Sequence, residues 1–209
     1  MNPASLAARR FRSRRMRLFL KELEVTPGTR VLDVGGTPFN WELCPFRPQV
    51  TLVNLLRALN PPPAGFRLVA ASGCALPFAD QSFEVVFCNS VIEHLGDPAD
   101  RGRLASEIRR VARRYWVQTP NRWFPIEPHL ETPLVHWLPR PWQQRIVRRA
   151  SVWQWLERPT ADRREYYIEH YLGDIRLLDK NELAGLFPDA VILKERFLGL
   201  TKSLIAVRR

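Results

Sequence analysis

The stretch VLDVGG at residues 31–36 constrains the fold of this chain more than any other. Its short apolar run, which includes β-branched residues, is typical of a parallel strand that is buried on both faces. The paired glycines that follow can adopt positive φ angles and let the backbone approach a ligand closely. The acid near the end of the strand lies where open α/β sheets bind their ligands. The pattern therefore predicts the start of a nucleotide-type cofactor site, the alternative being an ordinary turn after a strand.

The length and composition predict one globular domain. A chain of 209 residues, 45% of them apolar, can bury a substantial core. No window approaches the roughly 18 consecutive apolar residues of a membrane span, and the basic N-terminus lacks the apolar segment of a signal peptide. The three cysteines, Cys44, Cys74 and Cys88, are an odd number and show no CxxC spacing. We therefore expect reduced thiols in a cytoplasmic protein, and no metal centre.

The chain carries a formal charge of +11, and its basic residues are mostly arginines. The excess of arginine can simply reflect codon composition. The positive charge can also serve a function, which is to attract partners that carry phosphate groups. The segment 1–26 holds seven basic side chains and no acid before Glu22. Its apolar spacing predicts a helix, over the second half of 1–21, that packs beside the first strand and caps the cleft. The alternative is a solvated helix that has no partner.

Further apolar runs alternate with helical or loop segments along the chain. Strands are predicted at 29–34, 50–55, 66–71, 83–88 and 115–118, with a helix at 97–111. This order indicates an α/β fold with a doubly wound, mostly parallel sheet. The chain closes with a helix at 179–186 and a hairpin of strands 190–197 and 202–207. The segment 121–171 holds five of the seven tryptophans and predicts a helical insertion over the strand ends.

Taken together, these segments resemble a known family. VLDVGG, VTLVNL and CALPFADQSFEVVFCNSVIEHL, with a fifth strand and a terminal hairpin, resemble the class I S-adenosylmethionine-dependent methyltransferases. The likeness is greatest to the small "type 11" group and covers residues 29–118 in detail. QTPNRWFPIEPH, at 118–129, is similar to a segment after strand five in a subgroup of bacterial methyltransferases. The resemblance implies one methyltransferase domain over 1–209, a Rossmann-like sheet of seven strands, and S-adenosylmethionine as cofactor.

The resemblance also implies contacts with the methionine and ribose parts of that cofactor. Asp33, Gly35 and Gly36 are expected to hold the methionine end. Asn54 falls where the family usually has an acid that binds the ribose hydroxyls. An amide can accept a hydrogen bond from one hydroxyl and donate one to the other, so we expect weaker binding here rather than none.

The adenine and sulfur contacts are expected from the third and fourth strands. Ser72 falls where an aspartate commonly receives the adenine amino group in the family, with Gly73 and Cys74 beside the ring. Asn89 and Ser90 directly follow strand four. By the same resemblance, they are expected to face the methylthio region of the cofactor.

Chemistry sets the requirements for the acceptor side. Methyl transfer from a sulfonium is an in-line displacement, so the protein must align the acceptor and, for a hydroxyl, take its proton. The proline-rich segment after strand five is a rigid frame for this task. On it, Asn121, Arg122 and Trp123 are predicted to bind the acceptor. The alternative is a loop that packs its aromatic side chains under the insertion while its polar groups cap helices.

Candidate proton acceptors lie in two places. His129 is the preferred general base, with Glu127 as the residue that orients it. His94 borders the cofactor pocket in the family and is predicted to touch the substrate or to shape the pocket. Its neighbour Glu93 is predicted to begin the next helix, where an acid is favourable without any chemistry.

These observations support one leading hypothesis and two alternatives. The leading hypothesis is methyl transfer to an oxygen or nitrogen of a small-molecule, lipid-linked or sugar-linked acceptor. An RNA methyltransferase recruited by the basic surface is an alternative, although the chain lacks an RNA-modification motif such as NPPY. A non-catalytic binding relative is the other, because Thr37 replaces the third glycine of the family, and Asn54 and Ser72 replace its usual acids.

Overall fold

A computed structural model gives the structure of the protein and describes residues 3–55, 65–126, 132–149, 152, 158–162, 165, 166, 168 and 175–209, with side chains from residue 9 onward. Its helices and strands are, in chain order, α1 (Pro3–Glu22), β1 (Arg30–Val34), α2 (Pro38–Trp41), β2 (Gln49–Asn54), β3 (Arg67–Ala70), β4 (Phe83–Asn89), α3 (Pro98–Val111), β5 (Ala112–Pro120), α4 (Arg140–Arg149), α5 (Lys180–Leu186), β6 (Val191–Phe197) and β7 (Leu200–Arg208). Short 3₁₀ turns lie at Ile92–His94 and Val135–Trp137.

The strands form a seven-stranded sheet in the order β3-β2-β1-β4-β5-β7-β6. Strands β1 to β5 are parallel, and β7 runs antiparallel to both of its neighbours, β5 and β6. The predicted α/β fold, a mostly parallel sheet with a C-terminal antiparallel hairpin, is therefore confirmed. Val34 pairs with both Val53 and Cys88, and Asn89 pairs with Gln118. The carboxyl ends of the central strands thus meet at one edge, which we call the carboxyl edge.

Several element boundaries differ from those predicted. Helix α1 extends over almost the whole N-terminal segment rather than its second half. Strand β5 is longer than 115–118, because it pairs along its length with β4 and β7. The hairpin closes on the two residues Leu198 and Gly199, with φ angles of 48° and 81°, as tight hairpin turns require. Glu93 lies in a separate 3₁₀ turn, because Asp97 caps α3 by accepting a bond from the amide of Ala99.

Two apolar layers cover the sheet. One contains α3 and α5, whose buried residues include Leu104, Ile108 and Leu183. The other contains α1, whose residues Met16 and Phe19 are buried against the opposite face. The prediction that the N-terminal helix packs beside the first strand agrees with this layer, which includes Val31 of β1. Helix α1 is therefore part of the core.

Aromatic rings hold α1 in this layer. The Phe19 ring lies 4.7 Å from that of Phe87, 5.9 Å from that of Trp116 and 6.1 Å from that of Trp41, measured between centroids. All of these pairs are edge-to-face, a geometry that contributes beyond the area buried. None of the helices in the described part of the chain is long and apolar enough to cross a membrane.

Replacing Phe19 tests whether α1 belongs to the cooperative fold. We expect Phe19→Ala to lower the free energy of unfolding by about 3–5 kcal/mol, because it leaves a cavity among buried rings. Urea denaturation followed by tryptophan fluorescence measures this loss. Arg17→Ala, on the exposed face of the same helix, is the control and should change stability by less than about 0.5 kcal/mol. Equal stability of the two variants would mean that α1 folds independently of the sheet.

Candidate functional site

The turn after β1 is packed so tightly that it requires glycine. Gly35 has a φ of 71°, and its amide donates to the carbonyl of Val53 at 2.8 Å. A Cβ atom on Gly35 would lie 2.4 Å from the side chain of Val91, and one on Gly36 would lie 2.0 Å from the carboxyl carbon of Asp33. Either contact is far inside van der Waals distance. The turn therefore needs glycine to pack against Val91 and Asp33, and the close approach of its backbone to a ligand stays a prediction.

Asp33 lies beneath this turn, with only 1% of its surface exposed. The indole Nε1 of Trp41 donates to its Oδ2 at 2.8 Å, while its Oδ1 has no hydrogen-bond partner among the described residues. Burial raises the pKa of Asp33 to about 8, although the bond from Trp41 opposes the shift. Asp33 is therefore a buried acid with one oxygen atom unsatisfied, an arrangement that is frequent at functional sites.

Asn54 stabilises the same turn from the neighbouring strand. Its Nδ2 donates to the carbonyl of Gly36 at 3.1 Å, and its Oδ1 accepts from the amide of Leu55 at 2.8 Å. The side chain is half-buried at the end of β2. Its position at the carboxyl edge fits the predicted ribose contact, but its amide is already engaged in holding the glycine turn.

The loop after β3 reaches the same edge. A Cβ on Gly73 would lie 2.9 Å from the side chains of both Val34 and Leu104, so this glycine fits between β1 and α3. The amide of Cys74 donates to Ser72 Oγ at 3.2 Å, and the Cys74 thiol donates to the carbonyl of Asp100 at 3.4 Å. The predicted adenine-side residues are thus fixed beside the end of β1.

Asn89 and Ser90 lie at the end of β4, next to the glycine turn. Ser90 adopts a φ of 56°, which is unusual for a residue with a Cβ, and its hydroxyl donates to Gln118 Oε1 at 3.0 Å. Asn89 Oδ1 accepts from Arg15 Nη1 at 2.8 Å. Both side chains are half-buried. Their predicted contact with the methylthio region of the cofactor stays a prediction.

Arg15 is a site residue that the sequence analysis did not single out. Its Nη1 also donates to Gln118 Oε1 at 2.9 Å, and Nε and Nη2 donate to the two carboxylate oxygens of Glu195 at 3.2 and 2.6 Å. The guanidinium is almost fully buried. The only sequence signal was the basic face of the N-terminal helix, which did not distinguish Arg15 from its neighbours.

Glu93 and His94 follow β4 in the 3₁₀ turn. Glu93 is fully buried, its Oε2 accepts from Thr119 Oγ1 at 3.1 Å, and its carbonyl accepts from the amide of Arg176 at 2.7 Å. Burial raises the pKa of the nearby Cys88 thiol, and Glu93 and Asp33 raise it further. His94 is half-buried beside them. His94 thus lies in the turn that follows β4, and its contact with a substrate or with the cofactor pocket stays a prediction.

The predicted acceptor-binding residues separate into different environments. Asn121 joins β5 to the hairpin, because its Nδ2 donates to the carbonyl of Thr201 at 2.8 Å. Arg122 forms ion pairs with Glu182 at 2.7 Å and Asp179 at 3.6 Å, so its charge is compensated. Trp123 is 64% exposed at the surface. Of these residues, Trp123 has the most surface available to a ligand.

A cavity of about 540 Å³ lies beside this segment. It is lined by Arg122 and Trp123 and also by His136, Arg140 and Arg176, among others. The imidazole Nε2 of His136 lies 3.0 Å from the carbonyl oxygen of Arg122. His136 was not among the sequence candidates, since a lone histidine between tryptophans and prolines carries no local pattern. The predicted base His129 and its partner Glu127 lie outside the described residues.

Comparison with known proteins finds a family model and relatives that match part of this chain. A family model described as "Methyltransferase domain" matches residues 46–115. Two similar proteins, each named "Uncharacterized methyltransferase" and from Mycobacterium sp. strains KMS and MCS, are 42% identical over 97 residues. That alignment covers 43% of this chain, and the chain spans only 37% of the length of these relatives.

Solved structures share the fold at low sequence identity. One is a 1,6-didemethyltoxoflavin-N1-methyltransferase from Burkholderia thailandensis with bound S-adenosylhomocysteine, 16% identical, with a TM-score of 0.53 over 97% of this chain and 78% of that one. Another is a magnesium protoporphyrin IX methyltransferase from Synechocystis with bound S-adenosylhomocysteine, 12% identical, with a TM-score of 0.56 over 100% of this chain and 89% of that one. At these identities the likeness establishes the fold.

The raised pKa of Asp33 gives the protein a pH-dependent stability. The value of about 8 in the native state exceeds the ordinary 3.8, so between these values the unfolded chain releases a proton that the native state keeps. This group therefore lowers the stability of the wild type as the pH rises from about 4 to 8. The variant Asp33→Asn has no such titration. We therefore expect the free energy of unfolding of Asp33→Asn, minus that of the wild type, to increase by roughly a few kcal/mol from pH 4 to pH 8, the order of magnitude that proton linkage gives for such a pKa shift.

Urea denaturation at pH 4, 6 and 8 measures the difference between the two proteins. At pH 4 the carboxyl of Asp33 is neutral in the native state and only about half ionised in the unfolded chain, so the difference there is close to its low-pH limit and serves as the reference. A difference that stays constant up to pH 8 would show that Asp33 ionises normally in the native protein.

Proposed function

We propose that this chain belongs to the class I S-adenosylmethionine-dependent methyltransferases, as its sequence predicted, and that it transfers a methyl group from S-adenosylmethionine. The acceptor in this proposal is an oxygen or nitrogen atom of a small-molecule, lipid-linked or sugar-linked compound. The observation that carries the proposal is the turn Gly35–Gly36, which has no room for a Cβ atom and lies directly over a buried acid. This turn lies at the carboxyl edge, where α/β sheets bind nucleotides.

The residues at this edge fit the cofactor. S-adenosylmethionine carries an ammonium group and a sulfonium, and Asp33 offers a carboxyl oxygen that has no partner among the described residues. A cation nearby favours the ionised form of a buried acid, so binding would lower the raised pKa of Asp33. Because Gly36 covers Asp33, the acid would not touch the cofactor directly. It would support the shape of the glycine turn, and its negative charge would attract the cationic groups of the cofactor. The methionine end would then rest on the backbone of Gly35 and Gly36.

We expect the remaining cofactor contacts in the order in which the sequence predicted them around the edge. Asn54 would meet the ribose while it holds the carbonyl of Gly36. Ser72, Gly73 and Cys74 would border the adenine, since the packing of Gly73 fixes their loop against β1 and α3. Asn89 would face the sulfur from the end of β4.

When bound, S-adenosylmethionine supplies a methyl group already activated by the positive sulfur. The chain must therefore orient the acceptor, exclude water and remove a proton from it where the acceptor is a hydroxyl. We assign proton removal to His94, which is half-buried at the end of β4 beside the buried Glu93. His129, which the sequence analysis preferred as the general base, with Glu127 to orient it, is the other candidate for the same step.

We expect the reaction to occur in the cytoplasm. The three cysteines are free thiols, two of them half-buried and Cys88 fully buried. Free thiols of this kind persist where the compartment is reducing. Fractionation of cells expressing the full-length protein tests this expectation.

Gly36→Ala tests the proposal at the turn. The new Cβ would lie 2.0 Å from the carboxyl carbon of Asp33, so the turn and the acid must move apart. We expect the affinity for S-adenosylhomocysteine, measured by titration calorimetry, to fall at least about tenfold, which corresponds to about 1.4 kcal/mol. Asp33→Ala should also abolish binding, because it removes the acid under the turn.

Gly102→Ala is the matched control for this variant. Gly102 lies within α3, and a Cβ there would meet nothing within 4 Å. Alanine favours a helix over glycine, so this variant should fold and bind as the wild type does. If wild-type protein does not bind at millimolar S-adenosylhomocysteine, or if Gly36→Ala binds as tightly as Gly102→Ala, the proposal is wrong.

A further inference from the structure

Five side chains from distant parts of the chain meet at the carboxyl edge beyond the candidate cofactor site. These residues, which we call the edge cluster, are Phe11, Arg12, Phe124, Phe197 and Lys202. The ammonium of Lys202 lies 4.0 Å from the centre of the Phe11 ring. The rings of Phe11 and Phe197 are 5.5 Å apart, and those of Phe124 and Phe197 are 6.4 Å apart, in edge-to-face geometry. The cluster thus combines aromatic walls with cationic groups.

The edge cluster spans the gap between the glycine turn and the residues after β5. Arg12 lies over the ring of Phe39, 5.0 Å from its centre, and Phe39 follows Gly36 at the start of α2. On the other side, the carbonyl of Lys202 accepts from the amide of Asn121 at 3.0 Å. A molecule seated in the edge cluster would therefore lie between the proposed cofactor and the segment predicted to bind the acceptor.

The cations here are not all compensated. Arg15 uses four N–H groups on Glu195, Asn89 and Gln118, and thereby neutralises the carboxylate of Glu195. Within the described ranges, no acidic side chain forms an ion pair with Arg12 or Lys202. The described charges that act on Lys202 are those of Glu195, Arg15 and Arg12. Arg12 and Lys202 thus lie within the electrostatic influence of Arg15, and the carboxylate of Glu195 that acts on Lys202 is already paired with Arg15, which leaves an excess of positive charge.

Lys202 is the most informative of these cations, because it is half-buried. Burial lowers its pKa, Arg15 and Arg12 lower it further, and Glu195 opposes them. A contact with an aromatic face satisfies an ammonium only in part, and a half-buried cation that forms no ion pair is costly. An anion placed between Lys202 and Arg12 would remove that cost and form charge-assisted hydrogen bonds.

We propose that the edge cluster binds an anionic group of the methyl acceptor, a carboxylate or a phosphate, while its aromatic rings contact an apolar body attached to that group. This inference rests on the proposed function, since it specifies the acceptor class of the same site. Lys202 and Arg12 bind the anion, and Arg15 positions the cluster by fixing α1 to the ends of the strands. Phe11 and Phe197 select acceptors that carry an apolar or aromatic part next to the charge.

Small probes of matched shape test this proposal on the full chain. Phenyl phosphate and benzoate carry the two anions on an aromatic ring, and benzyl alcohol and benzamide are their neutral counterparts. Binding is measured by ligand-observed NMR, with and without saturating S-adenosylhomocysteine. We expect at least one anionic probe to bind about tenfold or more tightly than its neutral counterpart, as charge-assisted hydrogen bonds provide. The tighter of the two identifies whether phosphate or carboxylate is preferred.

Variants locate the probe. Lys202→Met and Arg12→Met keep an unbranched, flexible side chain and remove its charge, so each should weaken the preferred anion about tenfold. Lys202→Arg restores the charge and should retain binding. Arg14→Met makes the same change on the exposed face of α1 and is the control, with affinity expected within about twofold of the wild type.

The results separate this inference from the proposed function. Affinity for S-adenosylhomocysteine, measured on the same samples, should be unchanged in the Lys202 and Arg12 variants, which also shows that they are folded. If the wild-type protein does not bind S-adenosylhomocysteine, the proposed function is wrong. Equal binding of anionic and neutral probes, or equal weakening by Arg14→Met and Lys202→Met, would overturn the anion site while methyl transfer still stands.

Discussion

A buried guanidinium joins the N-terminal helix to three strands of the sheet. Arg15 reaches β4 through Asn89, β5 through Gln118 and β6 through Glu195. Removing one partner of a buried ion pair typically costs about 3–5 kcal/mol, because the other charge is left uncompensated. This contact therefore fixes the orientation of α1 on the sheet. The residues one turn earlier in the helix, Phe11 and Arg12, reach the carboxyl edge as a consequence.

The packing of Gly36 onto Asp33 is a second constraint on the structure, and it lowers the free energy of unfolding. A carboxyl group that is buried with one oxygen unsatisfied is unfavourable at neutral pH, and the remainder of the fold must compensate for it. Strained or unsatisfied groups of this kind persist where they serve a function. The aromatic layer around Phe19 and Trp41 supplies the compensation, since Trp41 both packs against Phe19 and donates to the acid. The indole of Trp41 therefore connects the hydrophobic core to the candidate cofactor site.

The sequence predicted what depends on local pattern. The apolar run and glycines at 31–36 are contiguous, and the alternation of strands and helices determines a parallel sheet, so both were accessible without coordinates. The contacts of Arg15 were not, because Glu195 lies 180 residues away along the chain and no spacing rule connects them. Asn54 illustrates the same limit on a smaller scale. Its family position predicted a ribose contact, whereas its bond to Gly36 depends on how β2 is registered against β1.

The charge of the chain shows why composition alone could not identify a partner. A total of +11 is compatible with codon bias, with RNA and with an anionic metabolite. The structure sorts the basic residues by what neutralises them: Arg110 pairs with Glu107 at 2.7 Å and Arg122 with Glu182 at 2.7 Å, and both serve the fold. Lys202 is half-buried and lacks such a pair within the described part of the chain. A half-buried cation that forms no ion pair is better evidence for an anionic ligand than many solvated cations are. Only the half-buried cation has lost part of its hydration, and a bound anion would offset that loss.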